Sequence, residues 1–247
     1  MLYKKAFSPK GLRMDKCIAE LKNLYAKFYE SVACHHVSEI TPFFMQKGAK
    51  YYDSTIKCLF VGKAVNGWVT NSRDVDELFD MNNEKRIINR SDEIEWVEKL
   101  GGSKEHYNSR RSAFWRVVKS VSQQLFPGHT WYEHIAWTNL YKFSPAKMNP
   151  DARMKRDQLD ICIDILDREI QLLSPHVVIF LTSGWECHFA DHIGLKSEEA
   201  EHCQWSRHEL LFQKKGNIAY IRSKHPQGKS ECEHVEALVT VIGNKAI

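Results

Sequence analysis

The run Val177-Val178-Ile179-Phe180-Leu181 constrains this chain more than any other segment. It stands between Ser174-Pro175, which stops a helix, and Thr182-Ser183-Gly184, which turns the backbone. An apolar run with no polar alternation is buried on both faces, as in the interior of a parallel sheet. Parallel strands need long crossovers, and the sequence supplies a helix ahead of this one. Residues from about 153 to 173 place Leu159, Ile163, Leu166, Ile170 and Leu173 along one side.

The same alternation of strand and helix runs through the chain. Cys58-Leu59-Phe60-Val61 reads as a second buried strand ahead of Gly62, and Ile135-Ala136-Trp137 as a brief third leading to Asn139. Helical spacing over 15–34 (Ile18, Leu21, Leu24, Tyr25, Phe28) and 111–125 (Phe114, Trp115, Val118, Val121, Leu125) supplies further covering elements. Two shorter strands near 209–213 and 218–222 are joined at Lys215-Gly216-Asn217, and a last helix over 230–242 takes Ser230 as its N-cap. This order predicts a three-layer α/β/α sandwich around a central, mainly parallel sheet. A single domain over 1–247 is expected, with an N-terminal helical extension (about 1–50) and a charge-rich insertion (about 71–109), helical near 92–100.

Composition narrows the function classes. With 35 basic against 31 acidic residues, the net charge of +4 permits a nucleic-acid partner without demanding one. Seven cysteines without a C-x-x-C pair argue against a disulfide framework and against common zinc or iron–sulfur sites. Cys34, His35, His36, His188, His202, Cys203 and His208 match no common ligand spacing either, so neither metal nor cofactor is expected. The N-terminus lacks the apolar core of a signal peptide, and no apolar run is long enough to span a bilayer. The expectation is a cytoplasmic monomer away from membranes.

Chemistry in open α/β sheets gathers where strands end. Three such ends stand out: Val61-Gly62-Lys63-Ala64-Val65-Asn66-Gly67-Trp68, then Trp137-Thr138-Asn139-Leu140-Tyr141-Lys142, then Ser223-Lys224-His225-Pro226-Gln227-Gly228-Lys229. Each has a local reading as well. Asn66-Gly67 forms turns, Asn139 can cap a backbone group, His225-Pro226 can simply lead into a helix, and Trp68 and Phe79 can pack in a core. Lys142, Lys147, Arg222, Lys224 and Lys229 form a phosphate-facing stripe or are separately solvated.

Taken in order, these blocks resemble the uracil-DNA glycosylase superfamily. Gly62 to Gly67 follows its G-x-x-P-G type turn imperfectly, Thr138-Asn139-Leu140-Tyr141-Lys142-Phe143-Ser144-Pro145 follows T-N-x-x-K-x-x-P well, and His225-Pro226-Gln227 is similar to H-P-S. The resemblance implies a protein that binds DNA, single- or double-stranded, and hydrolyses the N-glycosidic bond of a deaminated or damaged base. It implies that Asn139 reads the flipped base, with Gly62, Lys63, Ala64 and Trp68 around it, and that His225 donates a hydrogen bond to the departing base. Asn66, or Asp74 or Asp76 in the insertion, is then expected to position water. Lys142, Lys224, Gln227 and Lys229 are expected at DNA phosphates.

The first block departs from the family. Active relatives usually carry Asp, Asn or Glu at the first or second position after the glycine, and this chain has Lys63 and Ala64. A cation there opposes a developing sugar cation unless it points elsewhere. The cysteines of the iron–sulfur branch are missing too. An inactive relative that binds a base or nucleotide is therefore the alternative. An unrelated nucleotide-processing α/β hydrolase is a third reading, for which no phosphate loop or carboxylate cluster is found.

Overall fold

Alternate residues of the buried strands face opposite layers, and this pleat organises the molecule. In the strand β2 (Cys58–Ala64), Cys58 and Phe60 join one apolar cluster, and Leu59 and Val61 join the other. The computed structural model describes residues 9–33, 43–65, 75–79, 94–99, 101–102, 107–145 and 148–246.

Among these residues there are six further strands: β1 (Gln46–Lys47), β3 (Ile135–Tyr141), β4 (Val177–Leu181), β5 (Glu201–Trp205), β6 (His208–Lys215) and β7 (Ile218–Ser223). They form one sheet in the order β1-β3-β2-β4-β7-β6-β5, in which β3, β2, β4 and β7 run parallel and the outer strands antiparallel. From β2 the chain crosses to β3 on one side and then to β4 on the other. The order thus reverses at β2, and a crevice opens at the carboxyl ends of its strands.

Helices cover both faces. The first layer holds α4 (Ala113–Leu125) and α7 (Glu231–Val241), whose Val117, Val118, Val121, Val235 and Leu238 pack with Phe60, Ile179 and Ile221. The second holds α1 (Pro9–Val32), α5 (Ala152–Leu173) and α6 (Cys187–Ile193). On α1, Leu21, Tyr25, Phe28 and Val32 are all fully buried, at the four-three-four spacing that keeps one helical face on the core. Each contributes roughly 1.5–3 kcal/mol of burial. The N-terminal helix is thus an integral layer of the sandwich.

Caps and turns explain several boundaries. Asp151 Oδ1 accepts from the Met154 N–H at 2.8 Å to start α5, and Ser174, left-handed at φ 46°, ends it before Pro175. Gly216, at φ 57°, opens the two-residue loop between the paired Lys215 and Ile218. Ser230 sits at the N-cap of α7, but its side chain makes no capping bond.

Sequence expectation and structure differ in places. The strand leading to Asn139 continues to Tyr141 because it lies between β2 and β1, fully buried along its length. Strands β1 and β5, and the short helices α2 (Val75–Phe79) and α6, were not anticipated. Within the charge-rich stretch, α3 (Glu95–Lys99) buries Trp96 and Val97 in the first layer, and Trp96 Nε1 donates to Gln46 Oε1 at 3.0 Å. Phe79 packs against Tyr25 and Phe44, with centroids 5.7 and 5.0 Å away, so its role is in the core.

Candidate functional site

A cavity of about 380 Å³ opens at the carboxyl ends of β2 and β3. Its lining brings together Gly62, Lys63, Ala64, Asn139, His225 and Gln227. The register pairs Gly62 directly with Asn139, so the two strand ends arrive level. A Cβ built at Gly62 would collide with Asn139 Oδ1, which is why the strand has no side chain at that point. Asn139 is 2% exposed, and its Nδ2 has no hydrogen-bond partner among the described residues. A buried amide donor without a partner costs about 1–3 kcal/mol, which a ligand acceptor can recover.

His225, which follows β7, lines the same cavity. Its backbone N–H donates to Ser183 Oγ at 2.6 Å, and Ser183 itself is held left-handed at φ 56°. Such strain in a non-glycine residue persists where surrounding structure enforces it, here the turn that links β4 to the His225 segment. The Gln227 backbone N–H donates to His225 Nδ1 at 3.3 Å, which assigns the ring proton to Nε2. Burial, then the charges of Lys63 and Lys229, push the His225 pKa from 6.5 to about 4, so the ring is neutral at physiological pH.

Aromatic rings also line the cavity, among them Phe114, Trp115 and Trp137. Phe114, from the start of α4, lies nearly parallel to the His225 ring, with centroids 6.4 Å apart and planes at 20°. Beneath it Trp115 and Trp137 meet edge to face at 4.7 Å, and Trp96 touches Trp115 at 5.4 Å. Behind the His225 wall, His234 shares a 2.8 Å hydrogen bond with Ser223 and stacks on Trp205 at 4.1 Å. Burial, followed by Lys229, His208 and His225, lowers the His234 pKa to about 4 as well.

The lining also includes Arg111 and Arg116, together with Tyr107, Ser112 and Asn149. Glu231 is the one carboxylate among the described lining residues, and Arg116 occupies it through Nε at 2.9 Å. Among the described residues, no group of three or more His, Cys, Asp and Glu could hold a metal ion, and no helix is long and apolar enough to cross a membrane.

Asn139 and His225 line one cavity with Phe114, Trp115 and Trp137 at a sheet's switch point, a lining that suits a planar polar ring. A family model described as the uracil DNA glycosylase superfamily matches residues 91–240, more than half of the chain. The chain belongs to the uracil DNA glycosylase superfamily. The match covers the Asn139 and His225 segments, whereas the Gly62 strand end precedes it. No curated protein matches this chain.

Within this superfamily member, one sequence expectation is corrected. Lys142 was placed at a DNA phosphate, but it is 0% exposed and bonds Glu169 at 2.8 Å, Thr138 Oγ1 at 2.7 Å and the Asn139 carbonyl at 2.6 Å. An offset of three residues from Asn139 sends it to the opposite face of the sheet, under α5. Arg222 is likewise buried, donating to Ser197 Oγ at 3.2 Å. Lys224 and Gln227 are exposed, and Lys229 is half-buried with its Nζ donating to the Gln227 carbonyl at 3.2 Å. Asp76 is exposed and pairs with Lys22. Asn66, Gly67, Trp68, Asp74 and Lys147 lie outside the described residues.

Several lining residues escaped the sequence reading. Phe114 was seen only as part of a helix face, and Tyr107, Arg111 and Asn149 sit in polar segments whose approach to the strand ends is set by tertiary packing. The Ser183 hydroxyl carries no local signal beyond its place in a turn.

Proposed function

We propose that the cavity receives a nucleobase flipped out of DNA and that the protein hydrolyses its N-glycosidic bond. The observation that carries this reading is that Asn139, whose buried Nδ2 has no hydrogen-bond partner among the described residues, and His225, with its ring proton on Nε2, line one cavity with Phe114, Trp115 and Trp137 in a chain of this superfamily. Base loss leaves negative charge on the departing ring, and a neutral imidazole N–H hydrogen-bonded to a base oxygen stabilises that charge. Asn139 selects a base that presents an acceptor, which suits deaminated bases, where a carbonyl replaces an amine. Phe114 gives the ring a surface to stack on. Lys224, Gln227 and Lys229 hold the flanking phosphates, and Asn66 positions the attacking water.

A second reading is a relative that binds the base without cleaving it. It is favoured by Lys63 and Ala64 after the glycine and by the engagement of Glu231 with Arg116. Both readings require base selection. Fluorescence anisotropy with oligonucleotides carrying a single uracil, hypoxanthine or xanthine should show tighter binding than to unmodified strands, with the preference lost in Asn139→Ala. Equal affinity for all strands would remove the base-recognition role from this cavity.

A further inference from the structure

Lys63 stands directly after Gly62 on the cavity wall that also holds Asn139 and His225. Its side chain is half-buried, and its Nζ lies 5.1 Å from the Trp185 ring centroid, with Lys155 Nζ 4.3 Å from the same centroid. Lys229 reaches the carbonyl of Gln227, on the turn that carries His225. Burial lowers the Lys63 pKa from 10.5, Lys229 and Lys155 lower it further, and Glu186 opposes them. A lysine desolvated beside other cations has more of its amine in the neutral, nucleophilic form. The neighbouring His225 ring, whose pKa burial lowers to about 4, adds no positive charge at physiological pH.

We propose that Lys63 is an amine nucleophile that forms a Schiff base with the C1′ aldehyde of an abasic deoxyribose in DNA, giving this cavity a lyase activity. The proposal rests on the reading of the cavity as a DNA-base site. An abasic sugar in its open form presents an aldehyde where the base was attached. The Lys63 Nζ lone pair forms the C–N bond, and the two amine protons leave with the aldehyde oxygen as water. Protonation of the imine acidifies C2′. Water takes the C2′ proton, the C3′–O bond breaks, and the 3′ phosphate leaves with the bonding electrons. Hydrolysis of the imine then restores the lysine. This chemistry gives the cation after Gly62 a task that a water-positioning carboxylate would not perform.

The test uses the full chain and a single-stranded oligonucleotide with one preformed abasic site, so prior base removal is not required. Sodium borohydride traps any imine as a stable secondary amine. The proposal expects one covalent adduct, mapped by peptide mass spectrometry to Lys63. Trapping should fall at least tenfold in Lys63→Met and persist in Lys214→Ala, an exposed lysine on β6. The pH of half-maximal trapping should rise in Lys155→Ala. No adduct with the unmodified chain, or one mapped to another lysine, overturns the proposal, and the mapping does not depend on how the variant folds. Trapping at Lys63 without release of any base would overturn base hydrolysis and leave the lyase intact. Base release without trapping would overturn the lyase alone.

Discussion

Gly62 and Asn139 are paired across β2 and β3 so closely that a Cβ on the first would strike Oδ1 of the second. The Asn139 amide, proposed above to read the base, therefore depends on a glycine in the neighbouring strand. Gly62→Ala should push the amide out of place and weaken binding of a base-modified oligonucleotide about tenfold or more, with at most a few degrees' change in Tm. Adding Asn139→Ala to this variant should cost little further affinity, because both changes remove one interaction. A double-variant cycle in the anisotropy assay checks this, and additive losses would separate the two residues.

Lys142 and Glu169 form a buried ion pair, fully enclosed, with Thr138 also donating to Glu169 at 2.7 Å. Removing one partner leaves an uncompensated charge, so Lys142→Met should lose roughly 3–5 kcal/mol of stability. The measurement is urea unfolding followed by tryptophan fluorescence. Lys142→Met with Glu169→Met should recover part of the loss. Unchanged stability in the single variant would show that the pair is not sealed from water.

Both His225 and His234 have pKa values lowered from 6.5 to about 4 in the folded chain. Above pH 6.5 neither state binds the proton, and these rings contribute no pH dependence. As pH falls from about 6.5 toward 4, the unfolded chain takes up protons that the folded chain refuses, so stability declines across that window. Unfolding midpoints at pH 7.5 and 4.5 should therefore differ less in His234→Phe than in the unmodified protein. An equal or larger difference would contradict the assignment.

Ser183 holds the His225 backbone N–H through its hydroxyl while paying for a left-handed φ of 56°. Ser183→Ala keeps the strained backbone and removes the acceptor. It should lower base release several-fold with only a small loss in strand affinity, since the proposed phosphate-binding residues Lys224, Gln227 and Lys229 are unchanged. Steady-state kinetics separate these effects, and a pure rise in KM would place Ser183 among the strand contacts instead.

The sequence showed the layers clearly because continuous apolar runs and helical spacing are strong, local signals. Val177–Leu181 and α5 required nothing from the rest of the chain. β5, Glu201–Trp205, was invisible because it is an edge strand whose mostly exposed residues show no apolar alternation. Asn139, His225 and Gly62 were legible as strand-end residues, and the switch point explains why they meet. Lys142 misled because the motif suggested a nucleic-acid contact, while the two-residue period of β3 and its extension to Tyr141 turn that side chain under α5. Phe114, Tyr107 and Arg111 reach the cavity only through tertiary packing, which no local pattern encodes.

In the proposed reaction this cavity removes a base from DNA, with His225 supporting the departing ring. The direct measurement incubates the purified chain with single- and double-stranded oligonucleotides carrying uracil, hypoxanthine or xanthine, and scores strand breaks after alkaline treatment of the abasic sites. Cleavage of at least one substrate, reduced about a hundredfold or more in His225→Ala, is the predicted result. Cleavage no greater than that of His225→Ala on every substrate would show that the cavity does not hydrolyse the N-glycosidic bond.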